Sequence, residues 1–195
     1  MEIKRAIELG DNIREKLSEL YIEGFYNDGL KYFSRDKSKL IKAFTHVFVL
    51  EYFYVAIIDN EIAGMIACMG KGPFCMKFNK RIFIKHLGIF KGLLICFVYK
   101  DFLGKCAKLD EDTALLEFLA VSIKHQRKGV ASTLMKYLLA LPEYKHFVGE
   151  VADTNPNAFE LYKRLGFKEI NRKKFIPNSG INYWIQIKYS KQQST

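Results

Sequence analysis

Asn155, Ala158 and Tyr162 lie within TNPNAFELYKRLGF, Thr154 to Phe167. An amide, a small residue and a phenol at this spacing share one face of a helix, because seven residues at about 100° each make almost two turns. The face would present a hydrogen-bonding group, a groove and a proton donor in line. Asn155 is a favoured N-cap, Pro156 suits the first helical position, and Gly166 suits a left-handed residue after the last turn. The same stretch also reads as packing alone, with Phe159 and Tyr162 as core aromatics and Asn155 as a cap.

A second stretch, Gln126-Arg127-Lys128-Gly129-Val130-Ala131-Ser132, follows an apolar run and opens a helical pattern. Strand, basic glycine loop, helix is an anion-binding arrangement. N–H groups at a helix start point outward, and the helix dipole adds partial positive charge. Gly129 lets the backbone approach a phosphate, Ala131 keeps the next contact small, and Arg127 and Lys128 carry full charges. Neither the P-loop nor the Gly-x-Gly-x-x-Gly pattern is present. A basic loop of this kind also occurs as a plain solvated turn. Two carboxylates are candidate bases. Glu117 sits inside TALLEFLAVS, where alternation puts it on one strand face with Leu119 and Val121, and so apolar a setting demands partners or a raised pKa. Glu150 lies five residues before Asn155.

These groups need elements to position them. Residues 2–8 suggest a short strand, and Asp11 is placed to cap a helix running to Phe25. A second helix is predicted from Arg35 to Phe44. Residues 52–58 and the run from Ile62 to Gly70 form a hairpin across Asp59-Asn60-Glu61. Thr113 to Ser122 reads as a strand covered on both faces. The helix after Gly129 carries Val130, Leu134, Leu138 and Leu141 on one side and ends by Pro142. FVGEVAD, a run from Phe167, and the stretch from Ile181 to Tyr189 complete the strands.

The chain has 195 residues, 49% of them hydrophobic, and a net charge of +10. Nine Lys/Arg against two Asp fall between Lys71 and Asp110, so the basic character is concentrated there. Arg81, Lys85, Gly88 and Lys91 recur at helical spacing, which predicts one long helix with a wide apolar face. It is either a lid over an acceptor site or a packing helix with a basic outer face. An RNA- or membrane-surface module is a further reading of that charge. Cys68, Cys75, Cys96 and Cys106 show no metal-ligand spacing, so no metal is expected, and Cys68 and Cys96 read as inert core thiols. No run reaches the ~20 apolar residues of a membrane span, and the N-terminus lacks a signal-peptide core. One domain over residues 1–195, with a basic insert at about 71–110, in a cytoplasmic protein is the expectation.

The two motifs together resemble the GNAT superfamily of acyl-CoA-dependent N-acyltransferases. LLEFLAV, Leu115 to Val121, followed by Gln126-x-x-Gly129-x-Ala131, matches the family's phosphate-loop signature. Glu150-Val151, then Asn155-x-x-Ala158-x-x-Leu161-Tyr162-x-x-x-Gly166-Phe167, matches its second. The resemblance is strong from Thr113 to about Lys174 and looser towards the N-terminus. It implies an α/β fold (α+β mixed) with a mixed sheet of six to seven strands flanked by helices and a V-shaped splay between two central strands. It implies acetyl-CoA as co-substrate and a primary amine as acceptor. Leu119, Ala120 and Val121 would line the pantetheine, and Gln126, Arg127, Lys128, Gly129, Val130, Ala131 and Ser132 would hold the pyrophosphate. Asn155 and Ala158 would face the pantetheine arm, and Tyr162 the thioester sulfur as general acid. Glu150, which resembles the base position of the ribosomal-protein N-terminal branch, and Glu117 compete as base with a water relay. The alternative is a non-catalytic acyl-CoA-binding or regulatory protein. No specific nucleic acid is expected as a partner, and a homodimer is left open.

Overall fold

The computed structural model describes residues 1–100, 106–174 and 180–192. A seven-stranded mixed sheet in the order β1-β2-β3-β4-β5-β7-β6 organises the molecule. β1 (Glu2–Arg5) is shorter than the sequence suggests, because Ala6–Leu9 winds into a 3₁₀ turn. β2 (Phe53–Ile58) and β3 (Glu61–Met69) form the expected hairpin. Its turn residues Asp59 and Asn60 both take positive φ, 51° and 61°, as a two-residue hairpin turn that follows strand twist requires.

On one face of the sheet lie α1 (Ile13–Phe25) and α2 (Lys37–Phe44). Asp11 does not cap α1. Asn12 occupies the cap position without a side-chain bond, and Asp11 accepts from Arg14 Nε at 2.7 Å instead. Asp36 is the cap of α2, accepting from the N–H groups of Ser38 and Lys39. The core on this side joins Leu17, Tyr21, Phe44, Phe48 and Phe53. The opposite face is covered by α5 (Val130–Leu139), whose Val130, Leu134, Met135 and Leu138 are buried, and by α6 (Pro156–Arg164).

The basic segment differs from its sequence reading. It forms two helices, α3 (Lys80–Leu87) and α4 (Ile89–Tyr99), broken at Gly88 with φ 83° and ψ 166°. The helical spacing of its polar residues persists on each side of a break that only the backbone reveals. Asp101 and Lys105, which belong to the same stretch of sequence, lie outside the described residues. The hairpin closes tightly: a Cβ on Gly92 would stand 2.6 Å from the Ile84 nitrogen and 2.8 Å from its Cα. Backbone cannot yield as a side-chain tip can. Gly92→Val is therefore expected to cost about 1–3 kcal/mol in a denaturant titration, despite the better helix propensity of valine. A neutral result would show that the two helices separate freely.

β4 (Thr113–Val121), β5 (His146–Ala152), β6 (Lys168–Lys174) and β7 (Tyr183–Ser190) form the second half of the sheet. β4 and β5 run parallel and pair only from Thr113↔His146 to Leu116↔Gly149. Both strands continue beyond that point without pairing to each other, to Val121 and to Ala152. The V-shaped gap expected between two central strands is thus present. It opens where β4 carries a bulge: Met65 pairs with Ala120 and Ala67 with Glu117, so two β4 residues oppose the single Ile66.

Candidate functional site

Phe118 sits in the bulge at φ 58°, a conformation that an aromatic residue takes only when its surroundings impose it. Three rings clamp it edge-on: Tyr21 at 5.4 Å, Phe25 at 5.9 Å and Phe74 at 6.0 Å. The extra residue flips the alternation of the strand. Glu117 pairs with Ala67 and Ala120 with Met65, so Glu117 shares a face with Ala120, on the α1–α2 side. Leu119 and Val121 pack on the α5 side. Simple alternation, which put Glu117 with Leu119 and Val121, fails here because a bulge has no sequence mark in this strand.

The edge of β4 that looks into the gap leads into the loop before α5. Arg127 at φ 61° and Gly129 at φ 79° are both left-handed, and the turn they make aims successive N–H groups outward. Among the described residues, none of the N–H groups from Arg127 through Ser132 donates to another protein group. A Cβ added to Gly129 would meet nothing within 4 Å. The cradle is therefore open, cationic and lined with free donors, which suits an anion. Its entrance is pinned from behind. His125 is buried with Nδ1 2.9 Å from Ser122 Oγ, and Lys124 grips both oxygens of Glu61 at 2.8 and 2.7 Å. A cleft of about 770 Å³ lies on the α1–α2 side of this anchor, among Lys16, Glu23, Asn60 and Ser122, and is not lined by Tyr162 or either carboxylate.

α6 follows its sequence reading closely. Asn155 Oδ1 accepts from the Ala158 N–H at 3.1 Å, which leaves its Nδ2 as an outward donor. Pro156 is the first helical residue. Gly166 takes φ 92°, and the Phe167 N–H closes the last turn onto the Tyr162 carbonyl at 3.0 Å. Tyr162 is buried against Phe167, ring centroids 5.4 Å apart, on the α5 side of the sheet. Its hydroxyl makes no hydrogen bond among the described residues. Burial first, and then the charge of Glu117, holds the phenol well above its ordinary pKa. The phenol is thus protonated, uncommitted, and within electrostatic reach of a carboxylate from the other side of the sheet.

Glu150 occupies that other side too, since Phe147 and Val151 of the same strand pack on the α5 core and Val148 on the opposite one. Gln186 Nε2 donates to Glu150 Oε1 at 3.0 Å, and Asn171 Nδ2 donates to Gln186 Oε1 at 3.0 Å. This cross-strand chain orients the carboxylate. Gln186 and Asn171 escaped the sequence reading because nothing local marks which strands pair. The pairing of Tyr21 with Tyr99 escaped it for the same reason. Their hydroxyls lie 2.6 Å apart and tie α4 to α1, directly behind Phe118. Both phenols are pushed up chiefly by burial, Tyr99 to about 12. Cys68 is a buried thiol as expected, pushed up to about 12 by burial, whereas Cys96, also expected in the core, is only partly buried because it lies on the flank of α4.

Among the described residues, no helix is long and apolar enough to cross a membrane. No curated protein matches the chain. Solved structures do. An N-acetyltransferase from Staphylococcus aureus Mu50 superposes with a TM-score of 0.63 at 16% identity, over 97% of this chain and 100% of its own. A ribosomal-protein-alanine N-acetyltransferase from Brucella melitensis gives 0.60 at 13% identity, over 98% and 100%. At such identities the likeness speaks for the fold alone. The Acetyltransferase (GNAT) family model matches residues 14–167, spanning α1, the splayed strands, the cradle and α6. The chain therefore belongs to the GNAT acetyltransferase family.

Proposed function

We propose that this chain transfers an acetyl group from acetyl-CoA directly to a primary amine, with residues 1–195 acting as one catalytic domain and α3–α4 as an insert. The observation that carries this reading is the gap between β4 and β5, with free N–H donors at one end and the unbonded Tyr162 hydroxyl on its α5 side. Acetyl-CoA would supply the activated acyl group as a thioester. The N–H groups of residues 127–132 would hold its pyrophosphate, with Arg127 and Lys128 adding charge. The backbone of Leu119, Ala120 and Val121 would bind the pantetheine along the unpaired strand edge, and Asn155 Nδ2 would donate to it above Ala158.

The chemistry divides between the two faces of the sheet. An acceptor amine must lose a proton, and Glu150 and Glu117 both lie on the α1–α2 side. The departing sulfur must gain one, and Tyr162 lies on the other. A nitrogen–carbon bond forms, a carbon–sulfur bond breaks, and the Tyr162 proton passes to sulfur. The raised phenol pKa does not oppose this, because the burial that disfavours phenolate disfavours a thiolate in the same place. Acid and base are then separate groups, and either carboxylate or a water between them serves as base.

The test is a panel of primary amines with acetyl-CoA, following release of free thiol. Acetyl-CoA binding with no turnover on any acceptor would favour the binding-protein alternative. Once an acceptor is known, Glu150→Gln is expected to lower kcat/KM by about 10²-fold near neutral pH, with partial recovery at high pH where the amine is already neutral. Loss at every pH, or no loss, would move the base role to Glu117 or water.

A further inference from the structure

The outer face of α4 is apolar and uncovered. Phe90 is 91% exposed, Phe97 75% and Ile89 63%, and Leu93, Leu94 and Val98 are exposed beside them. At 100° per residue Phe90, Leu93, Leu94, Phe97 and Val98 occupy a single arc. The opposite arc, Gly92, Ile95 and Tyr99, is the one that packs on the protein. The exposure is therefore not that of a loosely placed helix. Tyr99 bonds Tyr21, and Gly92 presses against the α3 backbone, so the hairpin holds its apolar face outward on a rigid base. So many large apolar side chains on one exposed face mark an interaction surface.

The charge around the face selects the partner. From Lys80 to Lys100 the sequence contains Lys80, Arg81, Lys85, Lys91 and Lys100 and no Asp or Glu. All five cations are exposed. Among the described residues none of them is in an ion pair with a carboxylate. Two copies meeting through α4 would set these cations against each other with no carboxylate on α3 or α4 to answer them. A nucleic acid would match the charge but not Ile89, Leu93, Leu94 and Val98, which offer neither stacking planes nor donors. An anionic bilayer matches both: its acyl region accepts the apolar arc, and its headgroups meet Lys91 and Lys100, which border the two edges of that arc by helix period. At eleven residues α4 is too short to span a bilayer but long enough to lie in its surface.

We propose that α4, with Lys91 and Lys100 at the edges of its apolar arc, docks this protein on an anionic membrane surface. This docking is independent of catalysis, since no residue of the cradle, α6 or the carboxylate pair takes part in it.

The test is co-sedimentation of the full chain with vesicles of phosphatidylcholine alone, and of phosphatidylcholine with phosphatidylglycerol. Binding should be at least about tenfold tighter with the anionic lipid and should weaken as salt rises. Phe90→Ser with Phe97→Ser should lower anionic-vesicle affinity by about tenfold or more. Lys91→Glu with Lys100→Glu should do the same through charge alone. Both pairs of side chains are exposed, so melting temperatures should match the parent protein. Equal binding to both vesicles, or full binding by either double variant, overturns the proposal. So does a concentration-dependent dimer in sedimentation that the Phe90/Phe97 variant abolishes while the parent ignores vesicles, and so does binding to homopolymer RNA but not to lipid.

Discussion

Tyr162→Phe is expected to lower kcat by roughly 10²–10⁴-fold while leaving CoA affinity close to that of the parent protein. The hydroxyl bonds nothing else among the described residues, so its removal orphans no partner, and the ring keeps its contact with Phe167. Thermal stability should therefore stay near the parent value. The pH profile adds a second check. Burial and the Glu117 charge both favour the protonated phenol. The general acid should then remain loaded as pH rises towards and past the ordinary phenol value of about 10, so no alkaline loss of rate should trace to Tyr162 below that pH. Steady-state kinetics on a productive acceptor, with calorimetric CoA binding in parallel, separates the outcomes. Near-parental kcat in the variant would reduce the phenol to a packing element.

Gly129→Val should weaken CoA binding by about ten- to a hundredfold, the loss of one or two hydrogen bonds to a charged group. Two effects combine. At φ 79° a β-branched residue is strained, so the loop should relax and turn its N–H groups out of line. The new Cβ also points into open space beside the cradle, where the pyrophosphate would lie. Gly129→Ala should show the strain with less bulk and fall between. Melting temperature should drop modestly in both, since a single left-handed residue costs about 1–2 kcal/mol. Calorimetry showing parental affinity for CoA in the valine variant would remove the anion from this loop.

Local sequence determined the local parts of the site. Asn155, Pro156 and Gly166 specify where α6 starts and stops, because capping and left-handed termini are decided by the residues that occupy them. The helix period then places Asn155, Ala158 and Tyr162 on one face without reference to the rest of the chain. Gly129 likewise marks the start of α5 and the open loop before it. Asp59-Asn60 marks the hairpin turn. Where neighbours compete for a capping group, local sequence does not decide the cap. Asp11 was available to cap α1, but Arg14 claimed its carboxylate.

What tertiary structure alone decided is how those parts meet. The gap between β4 and β5 begins after Leu116 and Gly149, residues about 33 apart in sequence whose pairing no local pattern specifies. The bulge at Phe118 is held by Tyr21, Phe25 and Phe74, three rings from elsewhere in the chain, and it is this that moves Glu117 to the α1–α2 face. Gln186 and Asn171 orient Glu150 only because β7 lies between β5 and β6. Hydropathy suggested a wide apolar face for the basic segment, but not which side of it would be buried. Packing chose Gly92, Ile95 and Tyr99, since only a side without bulk at Gly92 could close on α3, and so left Phe90 and Phe97 facing outward.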